Sequence, residues 1–277
     1  MLVRTISLTE PLTITAAALT RDVFAPFGDV IANPRPELRP SNTTPAAIAR
    51  GELPYRATLA NQGTAIQYKA IASMRDLYYG SAPSGKAGGP RMTMFVCGAR
   101  ALVSRDRDGD GEGEGKGEGG EVAADGVQIK VLERHPFTSQ TFVPLTADAT
   151  KRYLVVVAPT LDATAEEEED EDLPAPAADA GLPGRGLPDV RRLAAFVATG
   201  EQAVTYAAGT WHAPMIALGP PESTVDFVVV QFANDVPVED CQEVGLEEEG
   251  GKGEEGERPS RIWVRVPEGE RRALARL

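Results

Sequence analysis

The sequence predicts a mainly β protein, an antiparallel β-barrel or jelly roll with a few short helices. Two observations carry this prediction: many short runs have strand composition and are separated by turn residues, and the chain lacks the β-α-β alternation of a parallel sheet. With 42% hydrophobic residues, the 277-residue chain can bury a core. We expect a single domain over residues 1–277. The strand-like runs are 91–99, 127–136, 140–145, 153–159, 202–206, 225–233 and 261–267.

Three acidic, low-complexity tracts interrupt these runs, at residues 105–126, 162–186 and 247–257. They carry a net charge of −18, which leaves the other 219 residues at +5. Such segments have few apolar side chains to bury, so we expect disordered, solvated insertions, the first and third as swollen hairpin loops. This acidity argues against a nucleic-acid partner.

The first tract opens like a calcium loop at Asp106, but its twelfth position is Gly117 instead of the required Glu. We therefore expect no calcium site there.

Helical signals are few. A start signal at Asp189, followed by apolar residues spaced at i, i+3, i+4 and i+7 from Val190, predicts a helix that ends at Gly200. Residues 20–31 indicate a short helical turn that leads into a strand, and the Pro-rich residues 32–57 indicate an irregular segment over the body.

Several features bear on location. No apolar run approaches the roughly 20 residues of a membrane span, and the N-terminus lacks a secretory pattern. Cys97 and Cys241 have neither disulfide nor metal spacing, which favours reduced thiols in an intracellular protein. The chain ends in Ala275-Arg276-Leu277, a relaxed form of the peroxisomal address, so we expect peroxisome or cytoplasm.

The chain has two histidines, and both lie in informative phrases. Glu133-x-His135 with Gln140 five residues after the histidine, and Gly209-x-x-His212, resemble the two sequence boxes of a cupin barrel. Glu133 replaces a histidine of the first box, Gln140 replaces its glutamate, and an isoleucine replaces the usual asparagine of the second. Since residues i and i+2 of a strand share a face, we expect these four polar side chains to converge on one cavity.

Longer phrases sharpen the resemblance. Residues 24–31 (FAPFGDVI), 61–68 (NQGTAIQY), 132–145 (LERHPFTSQTFVPL), 209–218 (GTWHAPMIAL) and 226–231 (DFVVVQ) resemble ureidoglycolate lyases of the fungal branch. The resemblance implies a cupin-like homodimer that splits ureidoglycolate into glyoxylate and urea, late in purine (allantoin) catabolism, and it strengthens the peroxisomal expectation. Many members have a second histidine after the Trp-His pair, where this chain has Ala213.

The implied chemistry suits the candidate residues. Ureidoglycolate is a carbinolamine, and its collapse needs a base for the hydroxyl proton and an acid for the leaving nitrogen. His135, His212 and Glu133 are the candidate catalytic residues, and the sequence leaves open which histidine is the base. For the substrate carboxylate, Arg91 is favoured over Arg134, whose alternation with its neighbours points it outward, and Lys69 is a reserve. Further candidate substrate contacts are Asn61, Gln62, Gln140 and Trp211.

Other interpretations stay open at this point. Trp211 also fits a core residue, and His135 also fits a structural residue that caps a strand. Glu133 also fits a surface charge paired with Arg134, and Gln140 also fits a side chain that hydrogen-bonds the backbone. A divalent metal on Glu133, His135, Gln140 and His212 is compatible with the chemistry but not required by it. Alternative functions are ureidoglycolate amidohydrolase and a non-catalytic cupin that binds a small organic acid.

Overall fold

A computed structural model describes residues 1–103, 125–178, 181–249 and 262–274. The described part is mainly β, with few short helices, and is consistent with a cupin-like fold. Its hydrogen-bonded strands do not close into a continuous barrel within these ranges. No helix in the described part has the length and apolar character that crossing a bilayer requires.

The described chain contains eighteen strands and five α-helices, with short 3₁₀ turns at Pro40–Asn42, Asn61–Gly63 and Val190–Arg192. In chain order the strands are β1 (Leu2–Leu8), β2 (Leu12–Thr15), β3 (Ala17–Ala18), β4 (Gly28–Ile31), β5 (Thr58–Ala60), β6 (Ala65–Gln67), β7 (Gly89–Gly98), β8 (Gly126–Ile129), β9 (Val131–Arg134), β10 (Gln140–Pro144), β11 (Arg152–Ala158), β12 (Ala194–Thr199), β13 (Ala203–Tyr206), β14 (Trp211–His212), β15 (Ile216–Leu218), β16 (Thr224–Ala233), β17 (Gln242–Glu248) and β18 (Ile262–Arg265). The helices are α1 (Arg21–Phe24), α2 (Pro45–Ala49), α3 (Ala165–Glu169), α4 (Pro237–Asp240) and α5 (Glu268–Leu274).

The strands form three layers and a separate hairpin. The central sheet runs β1-β17-β9-β14-β11-β12-β3, with β15 also paired to β11. A five-stranded sheet, β4-β13-β10-β16-β7, packs on one face, and a three-stranded sheet, β2-β18-β8, packs on the other. The hairpin consists of β5 and β6.

Strand β11 shows why the central sheet is buried on both faces. Its residues Tyr153, Val155 and Val157 pack toward the five-stranded sheet, and the alternating Leu154, Val156 and Ala158 pack toward the three-stranded sheet. A continuous apolar run is typical of a strand with two covered faces. The two apolar cores therefore share this strand, and the candidate site lies at one end of the core between the central and five-stranded sheets.

The strand-like runs are confirmed, with one run divided into β8 and β9. Nine other strands have no counterpart among the predicted segments, namely β1, β2, β3, β5, β6, β12, β14, β15 and β17. The helical turn and strand predicted over residues 20–31 are confirmed as α1 and β4.

The helix predicted from Val190 to Gly200 is wrong. A 3₁₀ turn occupies Val190–Arg192, and Ala194–Thr199 is strand β12, which pairs with β11 and β3. Four consecutive residues from Ala195 are buried, so the side chains on both faces of this segment are covered. The pattern of a short apolar run fits a buried strand as well as a helix. Here the segment is a strand because it pairs with the central sheet.

The acidic tracts also differ from expectation. The strands on either side of the first tract do not pair with each other, because β7 pairs with β16 whereas β8 pairs with β18. Among the described residues, the ends of the tract meet only in an isolated antiparallel bridge between Val103 and Gly126. The third does not follow β16 directly, since β17 intervenes. Within the second tract, Leu173 is fully buried and a capped helix, α3, forms after Thr164. Most of the first and third tracts, with Asp106 and Gly117, lies outside the described residues.

A prediction follows for Gly209, whose φ is +77° and where an added Cβ would lie 2.8 Å from Pro183 Cγ. Gly51 is a matched control, with a φ of +71° and nothing within 4 Å of the same position. A left-handed conformation costs an L-residue roughly 1–2 kcal/mol. We expect Gly51→Ala to lower the free energy of unfolding by about that amount and Gly209→Ala to lower it further, in denaturant titrations. Equal losses would show that the Pro183 contact does not constrain the turn.

Candidate active site

The two histidines meet because β9 and β14 are neighbours in the central sheet. Glu133 on β9 pairs directly with His212 on β14, and His135 follows the end of β9. The ring centroids of His135 and His212 lie 5.7 Å apart. Residues remote in sequence are therefore brought together on the face that looks toward the five-stranded sheet.

Gly209 ties the two segments to each other. Its N–H donates to the carbonyl of His135 at 2.9 Å, and its positive φ turns the chain into β14. Glycine adopts this conformation without the steric cost that a Cβ would impose. The predicted role of Gly209 in a tight turn before His212 is confirmed.

Backbone carbonyls fix both imidazole rings. His135 Nδ1 lies 2.6 Å from the carbonyl of Asp240, and His212 Nδ1 lies 2.8 Å from the carbonyl of Thr210. A carbonyl only accepts, so each Nδ1 carries the proton and donates. Each Nε2 then faces the interior of the site and carries no proton when the ring is neutral.

His212 Nε2 faces two oxygens. It lies 3.2 Å from Gln140 Oε1 and 3.4 Å from Glu133 Oε1. Both are acceptors in this arrangement, and Nδ1 already donates elsewhere, so a neutral ring leaves these contacts unsatisfied. A proton on Nε2, or a cation among the three atoms, satisfies them.

His135 has a different environment. Its Nε2 accepts from the Gln140 amide nitrogen at 2.9 Å, and the same amide donates to Gln231 Oε1 at 2.7 Å. Burial, and secondarily the charge of His212, lowers the pKa of His135 to about 4. The ring is therefore a neutral base throughout the neutral pH range.

Glu133, which lies beside His212, remains ionised. Burial alone would raise the pKa of its carboxyl, but the hydrogen bond and charge of His212 outweigh burial, and the pKa lies below its usual range. Tyr206 stacks on the His212 ring with centroids 3.9 Å apart. Burial raises the pKa of the Tyr206 hydroxyl well above its usual value, and this hydroxyl has no hydrogen-bond partner among the described residues.

Arg134 and Trp211 point away from this site, into the opposite core. The Arg134 guanidinium is fully buried and donates to the carbonyls of Gly184, Arg185 and Gly186. It also lies 4.5 Å over the Trp211 ring, whose indole N–H donates to the Gly186 carbonyl. Their candidate role as substrate contacts is therefore corrected. Arg134 points away from the histidines, as strand alternation predicts, and the two side chains hold the last residues of the second acidic tract.

The remaining candidates lie at the periphery. Arg91 pairs in register with Gln231, but its exposed guanidinium binds Asp235. Asn61 and Gln62 form the exposed tip of the β5–β6 hairpin, both with positive φ, and Lys69 follows that hairpin and is exposed. The structure shows no contact between any of these four side chains and the histidines.

Sequence reasoning missed four site residues. Gln231 hydrogen-bonds Gln140, and Asp240 supplies the carbonyl that holds His135. Tyr78 donates to the Asp240 carboxylate, and the Cys241 sulfur lies within 4.8 Å of a Glu133 carboxylate oxygen. Gln231 alone gave a signal in the sequence, as a polar residue that interrupts the apolar run from Phe227 to Ala233. The other three lie in loops or turns, where no spacing rule indicates which side chain faces a histidine.

The site also offers a set of metal-binding donors. One ligand atom each from Glu133, His135 and His212 lie within 4.8 Å of one another. Histidines that bind metals typically donate their second ring N–H to a carbonyl or carboxylate, as both do here. The residues present therefore fit a divalent cation.

Burial of neutral His135 predicts a pH-dependent stability. Its pKa is 6.5 in the unfolded chain and about 4 in the folded one. The unfolded state therefore binds this proton first, so the free energy of unfolding is unaffected above pH 6.5, falls as pH drops below it and levels off near pH 4. The loss is about 3 kcal/mol. We expect urea titrations with chelator present to show it in the native protein and not in His135→Asn. If the free energy of unfolding changed with pH equally in the native protein and in His135→Asn, folding would not suppress protonation of the ring.

Comparisons with known proteins show similarity to one enzyme family. The family model described as ureidoglycolate lyase matches residues 11–251, which include both histidine phrases. The ureidoglycolate lyase of Schizosaccharomyces pombe is 31% identical over 230 residues, which cover 83% of this chain and 89% of the relative.

Two further relatives carry the same name. The Saccharomyces cerevisiae ureidoglycolate lyase is 31% identical over 235 residues, covering 83% of this chain and 93% of the relative. That of Burkholderia cepacia is 32% identical over 231 residues, covering 83% and 84%. The family model matches most of this chain, and the two histidines of the chain lie close together at one end of a β core. This chain therefore belongs to the ureidoglycolate lyase family.

Proposed function

We propose that the protein is a ureidoglycolate lyase that eliminates urea from ureidoglycolate by general acid/base catalysis. In this step the hydroxyl proton passes to a base and the carbon–oxygen double bond of glyoxylate forms. The carbon–nitrogen bond breaks, and the departing nitrogen takes a proton to become urea. The observation that carries the proposal is the meeting of His135, His212 and Glu133 in a chain of this family.

The different surroundings of the two histidines divide these roles. His135 is neutral because burial lowers its pKa to about 4, so its Nε2 suits the base that removes the hydroxyl proton. His212 Nε2 lies 3.4 Å from Glu133 Oε1 and 3.2 Å from Gln140 Oε1, two acceptors that a donor at this position would satisfy. We assign His212 as the acid that protonates the leaving nitrogen.

Substrate must displace internal contacts to reach these atoms. His135 is 7% exposed and His212 is 1% exposed, and the Gln140 amide lies between the two rings. Gln140 and Gln231 offer an acceptor and donors of the kind that a ureido group needs. We propose that this pair exchanges its mutual hydrogen bond for bonds to substrate.

For the substrate carboxylate we propose Arg91. Its strand neighbour Gln231 faces the site, and a planar guanidinium binds a carboxylate through two parallel hydrogen bonds. Binding requires Arg91 to leave Asp235, an exposed ion pair of the sort that contributes little to stability. The alternatives are Asn61 and Gln62 at the tip of the β5–β6 hairpin, and Lys69, which follows it.

We also propose that Glu133, His135 and His212 can hold a divalent cation, with Gln140 Oε1 as a further oxygen donor. When bound, a cation would supply Lewis-acid polarisation of a substrate oxygen. The acid/base route through the two histidines does not depend on it.

The lyase and amidohydrolase reactions differ in their products, urea in the first and ammonia with carbon dioxide in the second. We expect the native protein to release urea and glyoxylate in equal amounts. His135→Ala and His212→Ala should each lower kcat by about 10²–10⁴-fold, because each removes half of an acid/base pair. Assays before and after chelation, with metal content measured, test the cation separately.

Ammonia as the nitrogen product would establish the amidohydrolase alternative. Tight binding of glyoxylate without turnover would establish the non-catalytic one. Val23→Ala is a useful control, because Val23 is exposed on α1 and takes no part in the proposed site.

We further propose that the protein is a homodimer, and that an apolar patch on the five-stranded sheet supports it. Strand β7 is the last strand of that sheet, and one face of it exposes Met92, Met94 and Val96 at 75%, 58% and 62%. Residues 104–124 and 250–261 are rich in Gly and Glu and offer almost no apolar side chains to cover it. A second copy would bring an equivalent patch, as an isologous interface requires.

This interface predicts an assembly defect. A glutamate at the patch would be buried without a partner, so Met94→Glu should convert dimers into monomers in sedimentation velocity at micromolar concentration. Val23→Glu is the control, because Val23 is 45% exposed but lies on α1, away from the patch. A native protein that sediments as a monomer, or a dimer that survives Met94→Glu, would contradict the assignment.

The proposed cellular setting is purine (allantoin) catabolism in the peroxisome. The resemblance of Ala275-Arg276-Leu277 to the peroxisomal address supports this location, and these three residues lie outside the described part of the chain.

A further inference from the structure

The acceptor that fixes the His135 tautomer belongs to a turn that other residues hold in place. His135 Nδ1 donates to the Asp240 carbonyl at 2.6 Å, which keeps Nε2 free of a proton when the ring is neutral. The Asp240 carbonyl lies at the end of helix α4, a single turn of four residues. So short a helix does not orient its last carbonyl by itself, and the orientation must come from its surroundings.

The side chain of Asp240 folds back and closes this turn. Its Oδ1 accepts the N–H of Asn234 at 2.9 Å, and its Oδ2 accepts the N–H of Asp235 at 2.8 Å. Asp235 has a φ of +61°, so the turn is held in a conformation that a free chain rarely adopts. The carboxylate therefore sets the path of the backbone that presents its own carbonyl to His135.

Tyr78 secures the same carboxylate from a different part of the chain. Its hydroxyl donates to Asp240 Oδ1 at 2.7 Å. Its fully buried ring packs against Phe137, with centroids 5.5 Å apart, and the N–H of Leu77 donates to the Phe137 carbonyl. Burial, and then the neighbouring carboxylate, raises the pKa of this hydroxyl, so it keeps its proton and remains a donor. Tyr78 thus links the segment after His135 to the turn that holds the ring.

We propose that Tyr78 and Asp240 are positioning residues that hold His135 as the Nδ1–H tautomer and aim its Nε2 at the substrate. Neither residue touches the reacting atoms. The consequence for turnover rests on the proposed lyase function, whereas the consequence for the tautomer does not.

The test replaces Tyr78 with Phe, which keeps the buried ring and removes the hydroxyl. Tyr153→Phe is the matched control: Tyr153 is also fully buried, and its hydroxyl donates to the Gln202 carbonyl at 2.6 Å, away from Asp240. Tyr78→Phe loses a hydrogen bond to a carboxylate and a longer contact with the Phe232 carbonyl, whereas Tyr153→Phe loses a hydrogen bond to a neutral carbonyl. Both stabilities should therefore fall, that of Tyr78→Phe by more. The ¹⁵N chemical shifts of the imidazoles report the tautomers directly, and the two histidines give two separable sets of signals. Chelator is present, so that no metal fixes Nε2.

We expect Nδ1–H His135 in the native protein and in Tyr153→Phe, and a mixture with the Nε2–H form in Tyr78→Phe. In Tyr78→Phe, kcat should fall about tenfold with KM nearly unchanged. This is the change expected when misorientation of the ring raises the activation free energy by roughly 1.4 kcal/mol. If Tyr78→Phe does not fold, Asp240→Asn takes its place, since it weakens the closure of the turn without changing side-chain size.

An unchanged His135 tautomer in a folded Tyr78→Phe would overturn the proposal. So would equal kcat losses in Tyr78→Phe and Tyr153→Phe, because Tyr78 would then be an ordinary core residue. A native protein without lyase activity would instead contradict the proposed function, and the ¹⁵N shifts would still decide whether Tyr78 and Asp240 position the ring.

Discussion

The site depends on one cross-strand pairing, that of Glu133 on β9 with His212 on β14. This register joins two segments that are remote in sequence, and the hydrogen bond from Gly209 N–H to the His135 carbonyl reinforces it. A shift by one residue would send the side chains of one strand to the opposite face. The carboxylate and the two imidazoles share a site because this register is kept.

The same pairing produces a second structure on the other face of the sheet. Arg134 and Trp211, each next in sequence to a site residue, stack on one another and bind the carbonyls of residues 184–186. Burial lowers the pKa of Arg134 to about 9, and its hydrogen bonds to loop carbonyls and to Gln242 compensate for lost water. The long phrases around the histidines thus supply both the residues of the candidate site and the side chains that anchor a loop, which explains why charged and aromatic residues alternate with the site residues.

The two imidazoles are chemically distinct although both donate Nδ1–H to a carbonyl. His135 faces the amide nitrogen of Gln140, whereas His212 faces the oxygens of Gln140 and Glu133. A single Gln side chain therefore presents its donor end to one ring and its acceptor end to the other. This asymmetry supports separate base and acid roles, and the same convergence of lone pairs suits a divalent cation.

The amino-acid sequence by itself determined the mainly β composition, half of the described strands and the glycine turn before His212, because alternation and turn chemistry are local properties. The resemblance to the cupin boxes indicated Glu133, His135, Gln140 and His212. Tertiary structure decided the rest. Residues 194–199 form a strand because the central sheet pairs with them, and Arg134 and Trp211 became anchors because the opposite core and the loop carbonyls cover them. Tyr78, Asp240 and Gln231 joined the site through contacts between distant segments. Such contacts follow from packing and register, which no local pattern encodes.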